Sequence, residues 1–160
     1  MDLSADDLRQ VLAENGIVTV LIGAHAANRY RLEARHTVDV DYLASSLEGA
    51  ALVLREVGCT VREVAENGVP YLISARVGAT VIDVLVAETA YQKEAMSRAR
   101  DGVLTVEDVI IHKLIAARPR DIDDIRSILS TRIALDESYV EDKAGQWEVL
   151  DCWIQLRSER

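Results

Sequence analysis

Thr80-Val-Ile-Asp83-Val-Leu-Val86 is an apolar run of strand length with one carboxylate in its middle. A run this short and this apolar reads as a central β-strand covered on both faces, so the rest of the chain must supply helices to cover it. Ile17-Val-Thr-Val-Leu-Ile22 reads as a second buried strand, closed by Gly23. His36 to Leu43 alternates as a third, and Thr60–Val64 and Val69–Arg76 complete the set, with turns at Glu66-Asn67-Gly68 and at Gly78. Helical patterns occupy Ser4 to Glu14, with Ser4 as N-cap and Leu8, Val11 and Leu12 as the apolar stripe, then Ala24 to Glu33 and Leu47 to Val57. Beyond Ala87 the chain is helical throughout: Thr89–Arg100, Val106–Ala117, Ile122–Leu129 and a last helix from about Asp136 to Leu156. The order αβαβαβββ followed by helices predicts an α/β (α+β) fold, a small mixed sheet backed by helices with a helical C-terminal half. One domain is expected over residues 1–160, its sheet-containing core at about 1–88 and its helical part at about 89–160.

Charge narrows the partners. Eighteen Lys+Arg stand against 27 Asp+Glu in 160 residues, a net charge of −9. A protein that clamps a long nucleic acid carries a basic surplus, because neutralised phosphates release counterions. This chain has only local clusters, Arg29, Arg31 and Arg35 in one place and Arg98, Arg100, Arg118 and Arg120 in another. No apolar run reaches bilayer length, the start Met1-Asp2-Leu3-Ser4-Ala5-Asp6-Asp7 is acidic, and Cys59 and Cys152 form no CxxC pair. Membrane insertion, secretion, a disulfide scaffold and a zinc knuckle are therefore not expected, and the cytosol is the expected compartment.

Four local features carry chemistry. In Thr37-Val-Asp39-Val-Asp41-Tyr42, strand alternation sends Asp39 and Asp41 to one face and Val38, Val40 and Tyr42 to the core. Two like charges side by side repel, so they face water or share an oxygen-preferring cation such as Mg²⁺. Asp83 inside its apolar strand needs a partner too: that same cation, an arginine such as Arg35 or Arg76, or water. Ile22-Gly23-Ala24, at a strand-to-helix junction, either brings free backbone N–H groups to a phosphate or is a tight turn that needs glycine for φ alone. Lys113 lies on a mainly apolar helix face that starts at Thr105-Val-Glu-Asp108, where its ammonium snorkels to water or meets an anion. Of the histidines, His25, His36 and His112 share no ligand spacing, and His36 is the one expected nearest a ligand, beside Thr37. Trp147, Cys152, Trp153 and Leu156 fit one face of the last helix, as core or as a partner surface.

Together, Ile22-Gly23-Ala24, Arg35-His-Thr37-Val-Asp39-Val-Asp41 and Asp83 on a later strand resemble the polymerase-β-like nucleotidyltransferase superfamily. The stretch from Leu104 through Lys113 to Arg120-Asp121-Ile-Asp-Asp124 resembles its minimal AbiEii-like branch, several members of which are toxins of bacterial toxin–antitoxin pairs. The resemblance spans roughly residues 17–130; Ala24 stands where the family turn reads Gly-Gly or Gly-Ser. It implies NMP transfer from an NTP to a nucleic-acid acceptor such as tRNA or to a protein acceptor, with Mg²⁺ or Mn²⁺ as cofactor and a cognate antitoxin as a partner. Asp39, Asp41 and Asp83 would be the metal-binding catalytic residues. Gly23, Ala24, Arg35, Thr37 and Lys113 would bind the nucleotide. The alternative is a non-catalytic protein of the same fold that binds a nucleotide or a partner.

Overall fold

The computed structural model describes residues 2–160. Among them five strands form one sheet: β1 (Thr19–Ile22), β2 (Asp39–Ala44), β3 (Thr60–Glu66), β4 (Val69–Val77) and β5 (Thr80–Val86), in spatial order β1-β2-β5-β4-β3. The sheet is mixed. β1 runs antiparallel to β2, β2 parallel to β5, and β5, β4 and β3 form an antiparallel meander. β5 is thus interior, as its apolar composition requires, and Val81, Ile82 and Val84 are buried. Residues 102–104 add a short backbone pairing to the outer edge of β1, where Leu21 N–H donates to the Gly102 carbonyl (2.8 Å) and Leu104 N–H to the Leu21 carbonyl (3.2 Å).

The two faces of the sheet differ in chemistry. One carries Tyr42, Ala44, Ile82 and Val84, all buried, under α1 (Ala5–Glu14) and α3 (Ala50–Glu56). α1 is fixed by a capping box in which Asp7 N–H donates to Ser4 Oγ (3.1 Å) and Ser4 N–H to the Asp7 carboxylate (2.8 Å), and Tyr42 Oη donates to the Ala5 carbonyl (3.4 Å). The other face carries the alternate residues Asp39, Asp41, Leu43, Asp83 and Leu85. It looks toward α2 (Gly23–Asn28), α4 (Ala90–Arg98), α5 (Val106–Ala116) and α6 (Pro119–Ser130). α7 (Glu137–Gln146) and α8 (Leu150–Ser158) finish the chain. Among the described residues no helix is long and apolar enough to cross a membrane, and Cys59 and Cys152 are free thiols.

Three elements depart from the sequence reading. The helix expected over Ala24–Glu33 stops at Asn28, because Asn28 closes the following loop with its side-chain amide, donating to the Arg35 carbonyl (2.9 Å) and accepting Arg35 N–H (3.1 Å). β2 begins at Asp39 rather than His36, since its pairing with β5 begins there, and Val38, expected in the core, is exposed ahead of the strand. The single helix expected from Asp136 to Leu156 is two helices. Glu148 adopts a left-handed φ of 58° and Val149 N–H returns to the Ala144 carbonyl (2.8 Å), so the chain folds back and buries Trp153 while Trp147 stays exposed.

Candidate active site

Gly23, Ala24, Arg35, Thr37, Asp39, Asp41, Asp83 and Lys113 come from four elements and one loop, and all line a single cavity of about 650 Å³. At its floor Asp41 and Asp83 are partners across the parallel β2–β5 ladder, so their side chains leave the same face about 5 Å apart at the backbone. Asp39 lies two residues back on that face and is exposed, while Asp41 and Asp83 are half-buried. Asp83 Oδ1 is buried and has no hydrogen-bond partner. Burial, with the charges of Asp83 and Asp39 beside it, pushes the Asp41 carboxyl from its ordinary 3.8 up to about 6, and Lys113 and Arg118 offset this only in part. Neither Arg35 nor Arg76 reaches Asp83. The salt bridges involve other carboxylates.

Gly23 forms the adjoining corner. Its φ of +67° falls where glycine is favoured, and a Cβ there would overlap Asp41 Oδ2 and lie 3.1 Å from Asp41 Cβ and Cγ. The turn therefore needs glycine for its φ, but not for φ alone, because the Asp41 carboxylate occupies the space a side chain would take. Ala24, buried behind it, lies in the first turn of α2, whose N–H groups have no helical partners.

The opposite wall is cationic and cross-linked. Lys113 Nζ, buried on α5, donates to Asp121 Oδ1 (3.0 Å) and contacts Asp124 Oδ2 (2.9 Å). Asp124 also accepts from Arg35 Nε (2.8 Å) and from Arg31, and Asp121 accepts from Arg118 Nε (2.6 Å). These cations hold both carboxyls below the usual carboxylate range despite full burial. Four cations thus surround two carboxylates, and three of them, Arg35, Lys113 and Arg118, line the cavity with the aspartates, with exposed Arg120 at its rim. Lys113 meets anions at the end of its stem, but those anions belong to the protein.

Beyond Lys113 the wall turns aromatic. His112 follows it on α5, its imidazole pushed down to about 4 chiefly by burial. Tyr91 of α4 stands edge-on to His112 (5.6 Å) and to Trp147 (6.2 Å). Sequence reasoning missed this group, placing His36 nearest a ligand. His36 is exposed on the loop and absent from the cavity wall, while His112 takes that place. The available signal was helical spacing, since Val109, His112, Lys113 and Ala116 share one face of α5.

The donor set around Asp41 is all oxygen. Among the described residues no group of three or more His, Cys, Asp or Glu side chains is set to hold a metal ion by itself. Chemically, the arrangement offers adjacent carboxylates short of a counter-charge, a backbone corner and a cationic wall, which suits an anionic ligand that brings its own oxygens.

No family model matches the chain, and no curated relative does. Solved structures match it well. The solution structure of the antibiotic-resistance factor ANT(2'')-Ia is 17% identical over 95% of this chain and 93% of that one, with a TM-score of 0.60. The crystal structure of ANT(2")-Ia in complex with adenylyl-2"-tobramycin is 16% identical over 88% and 92%, also at 0.60. A structure from H. pylori, described as a candidate nucleotidyltransferase, is 15% identical over 88% and 71%, at 0.54. At these identities the likeness establishes the fold: the five-stranded mixed sheet with its helices is the one these proteins have.

Proposed function

We propose that the chain is a nucleotidyltransferase of polymerase-β-like fold, moving an NMP from an NTP to an acceptor with release of pyrophosphate. One observation carries this: Asp39, Asp41 and Asp83 leave one face of the sheet at a glycine corner, with Asp83 Oδ1 buried and unpartnered. A buried carboxylate oxygen left so is costly unless a ligand completes it. The three aspartates fit a divalent cation, Mg²⁺ or Mn²⁺, whose remaining ligands would be substrate phosphate oxygens. Such a cation supplies Lewis-acid stabilisation of the reacting phosphoryl group.

The protein's own groups divide the remaining work. Gly23 and Ala24 offer backbone N–H groups to the triphosphate, with Thr37 beside them. The excess positive charge around Lys113, Arg35 and Arg118 stabilises the pyrophosphate as it leaves, from positions held in advance by Asp121 and Asp124. The acceptor hydroxyl attacks the α-phosphorus, the bond to the β-phosphate oxygen breaks, and the Asp83 carboxylate takes the hydroxyl proton.

A net charge of −9 opposes a long RNA, so a protein hydroxyl or a small hydroxylated molecule, the acceptor class of the adenylyl-2"-tobramycin complex, fits better than a tRNA 3′ end. The AbiEii-like branch, and with it a toxin role, rests on the resemblance of the Leu104–Asp124 stretch, in which Lys113 pairs with Asp121 and Asp124. The test is incubation with each α-labelled NTP, Mg²⁺ and RNA, protein or aminoglycoside acceptors, using wild type, Asp41→Asn and Asp83→Asn. Label should pass to an acceptor with wild type and fall at least a hundredfold with either variant. Nucleotide binding without transfer, unchanged in Asp83→Asn, would instead establish the non-catalytic reading, which the commitment of Lys113 to the protein's own carboxylates favours.

A further inference from the structure

We propose that the aromatic end of the cavity, formed by Tyr91, His112 and Trp147, is a nucleobase subsite that seats the nucleotide's planar ring while its phosphates run along α5 toward Arg118 and Arg120. The inference deepens the proposed function and rests on its nucleotide half. Its ground is a gradient. The α5 face toward the cavity reads Val109, His112, Lys113, Ala116, and the chain beyond it adds Arg118 and Arg120. Apolar and aromatic character therefore gives way to positive charge in one direction, over a helix rise of about 10 Å from Val109 to Ala116. A ligand with a flat ring at one end and a polyanion at the other matches that order.

The aromatic end is built before any ligand arrives. Asp108, fully buried, accepts from Tyr91 Oη (2.9 Å), Tyr139 Oη (2.8 Å), Thr105 Oγ1 (2.9 Å) and Arg98 Nε (3.1 Å), so the Tyr91 ring is pinned between α4, α5 and α7. The ring stands edge-on to both His112 and Trp147, at interplanar angles of 77° and 64°. Trp147 is 38% exposed at the cavity wall where α7 ends. Tyr91, 6% exposed and with Lys143 Nζ 6.0 Å from its ring centroid, backs this wall, and Trp147 is the ring open to a base, which aromatic side chains take by stacking with little preference among bases. Gln92 commits its Oε1 to the N–H groups of Glu88 and Thr89, leaving Nε2 as a donor on the same wall.

Trp147 is also the reporter, because Trp153 is 1% exposed and shielded. The intact protein is titrated with each of the four NTPs, with adenosine and with inorganic tripolyphosphate, following tryptophan fluorescence and heats of binding. NTPs and adenosine should quench fluorescence saturably and tripolyphosphate should not, and Trp147→Phe should remove most of the signal. Trp147→Ala should weaken NTP binding about tenfold and leave tripolyphosphate binding unchanged. His112→Ala, verified as folded by circular dichroism, should weaken the nucleoside in the same sense. Adenosine that neither binds nor quenches, or a Trp147→Ala variant that loses tripolyphosphate and NTP equally, would overturn the assignment. Adenosine binding that survives in Asp83→Asn keeps the two proposals separable: if no transfer is ever found but that binding persists, the transferase reading fails and the base subsite stands.

Discussion

Replacing Asp41 by Asn should stabilise the ligand-free protein while it abolishes transfer. The carboxyl is pushed from 3.8 to about 6 by burial and by Asp83 and Asp39, so its ionised form is disfavoured in the folded state. At 1.36 kcal/mol per tenfold change, that difference is about 3 kcal/mol; water at the open cavity mouth screens part of it, and about 2 kcal/mol is the expected gain. The pH window follows from the sign of the shift. Between 3.8 and about 6 the folded chain keeps a proton that the unfolded chain has released, so wild-type stability falls as pH rises through this range and stays at the lower level above it. Asn carries no such penalty. His25 and His112, both pushed down mainly by burial, titrate in either protein and cancel in the difference. Urea denaturation in EDTA reads this out: at pH 7.5 the variant's midpoint should lie about 1 M above wild type, and at pH 4.5 about a third of that gain should remain. An unchanged midpoint at pH 7.5, or the same increment at both pH values, would refute the reasoning.

Gly23→Ala forces a side chain onto a left-handed φ and into Asp41, so thermal unfolding should show a loss of about 1–3 kcal/mol, together with loss of transfer. Asp124→Ala strips the shared carboxylate from Arg31, Arg35 and Lys113, and urea unfolding should register a loss of about 3–5 kcal/mol. His112→Gln should flatten the acid side of the stability profile. The wild-type imidazole is held neutral down to about 4 while the unfolded one charges near 6.5, so wild type loses stability on acidification across that range and the variant should lose about 1–2 kcal/mol less.

Much of the site was legible because it is local. The period of two in Asp39-Val-Asp41-Tyr42 placed the carboxylates on one face whatever the strand's neighbours, and the apolar run Thr80–Val86 marked its strand as interior, with Asp83 left in need of a partner. What the structure shows here is that β5 pairs directly with β2 and sets Asp83 beside Asp41. The cationic wall was harder to read, because Arg31 and Arg35 find Asp124 across some ninety residues, a pairing no local pattern encodes. The Asn28 side chain, bonded to the Arg35 backbone, ends α2 early, and residues 29–38 are irregular. The break between α7 and α8 turns on one left-handed residue, Glu148, and the only local sign of it is Gly145 three residues earlier. Tyr91, His112 and Trp147 reach the cavity from three elements, so only the His112 spacing was visible in advance.

The central claim is that Asp39, Asp41 and Asp83 share a divalent cation with a nucleotide. Electron paramagnetic resonance of Mn²⁺ titrated into the protein with a non-hydrolysable NTP addresses it without relying on turnover or on the acceptor. Wild type should bind Mn²⁺ saturably and more tightly with the nucleotide than without it, and Asp83→Asn should lose that binding while remaining folded. Mn²⁺ that stays free in wild type, or that binds Asp83→Asn equally well, would contradict it.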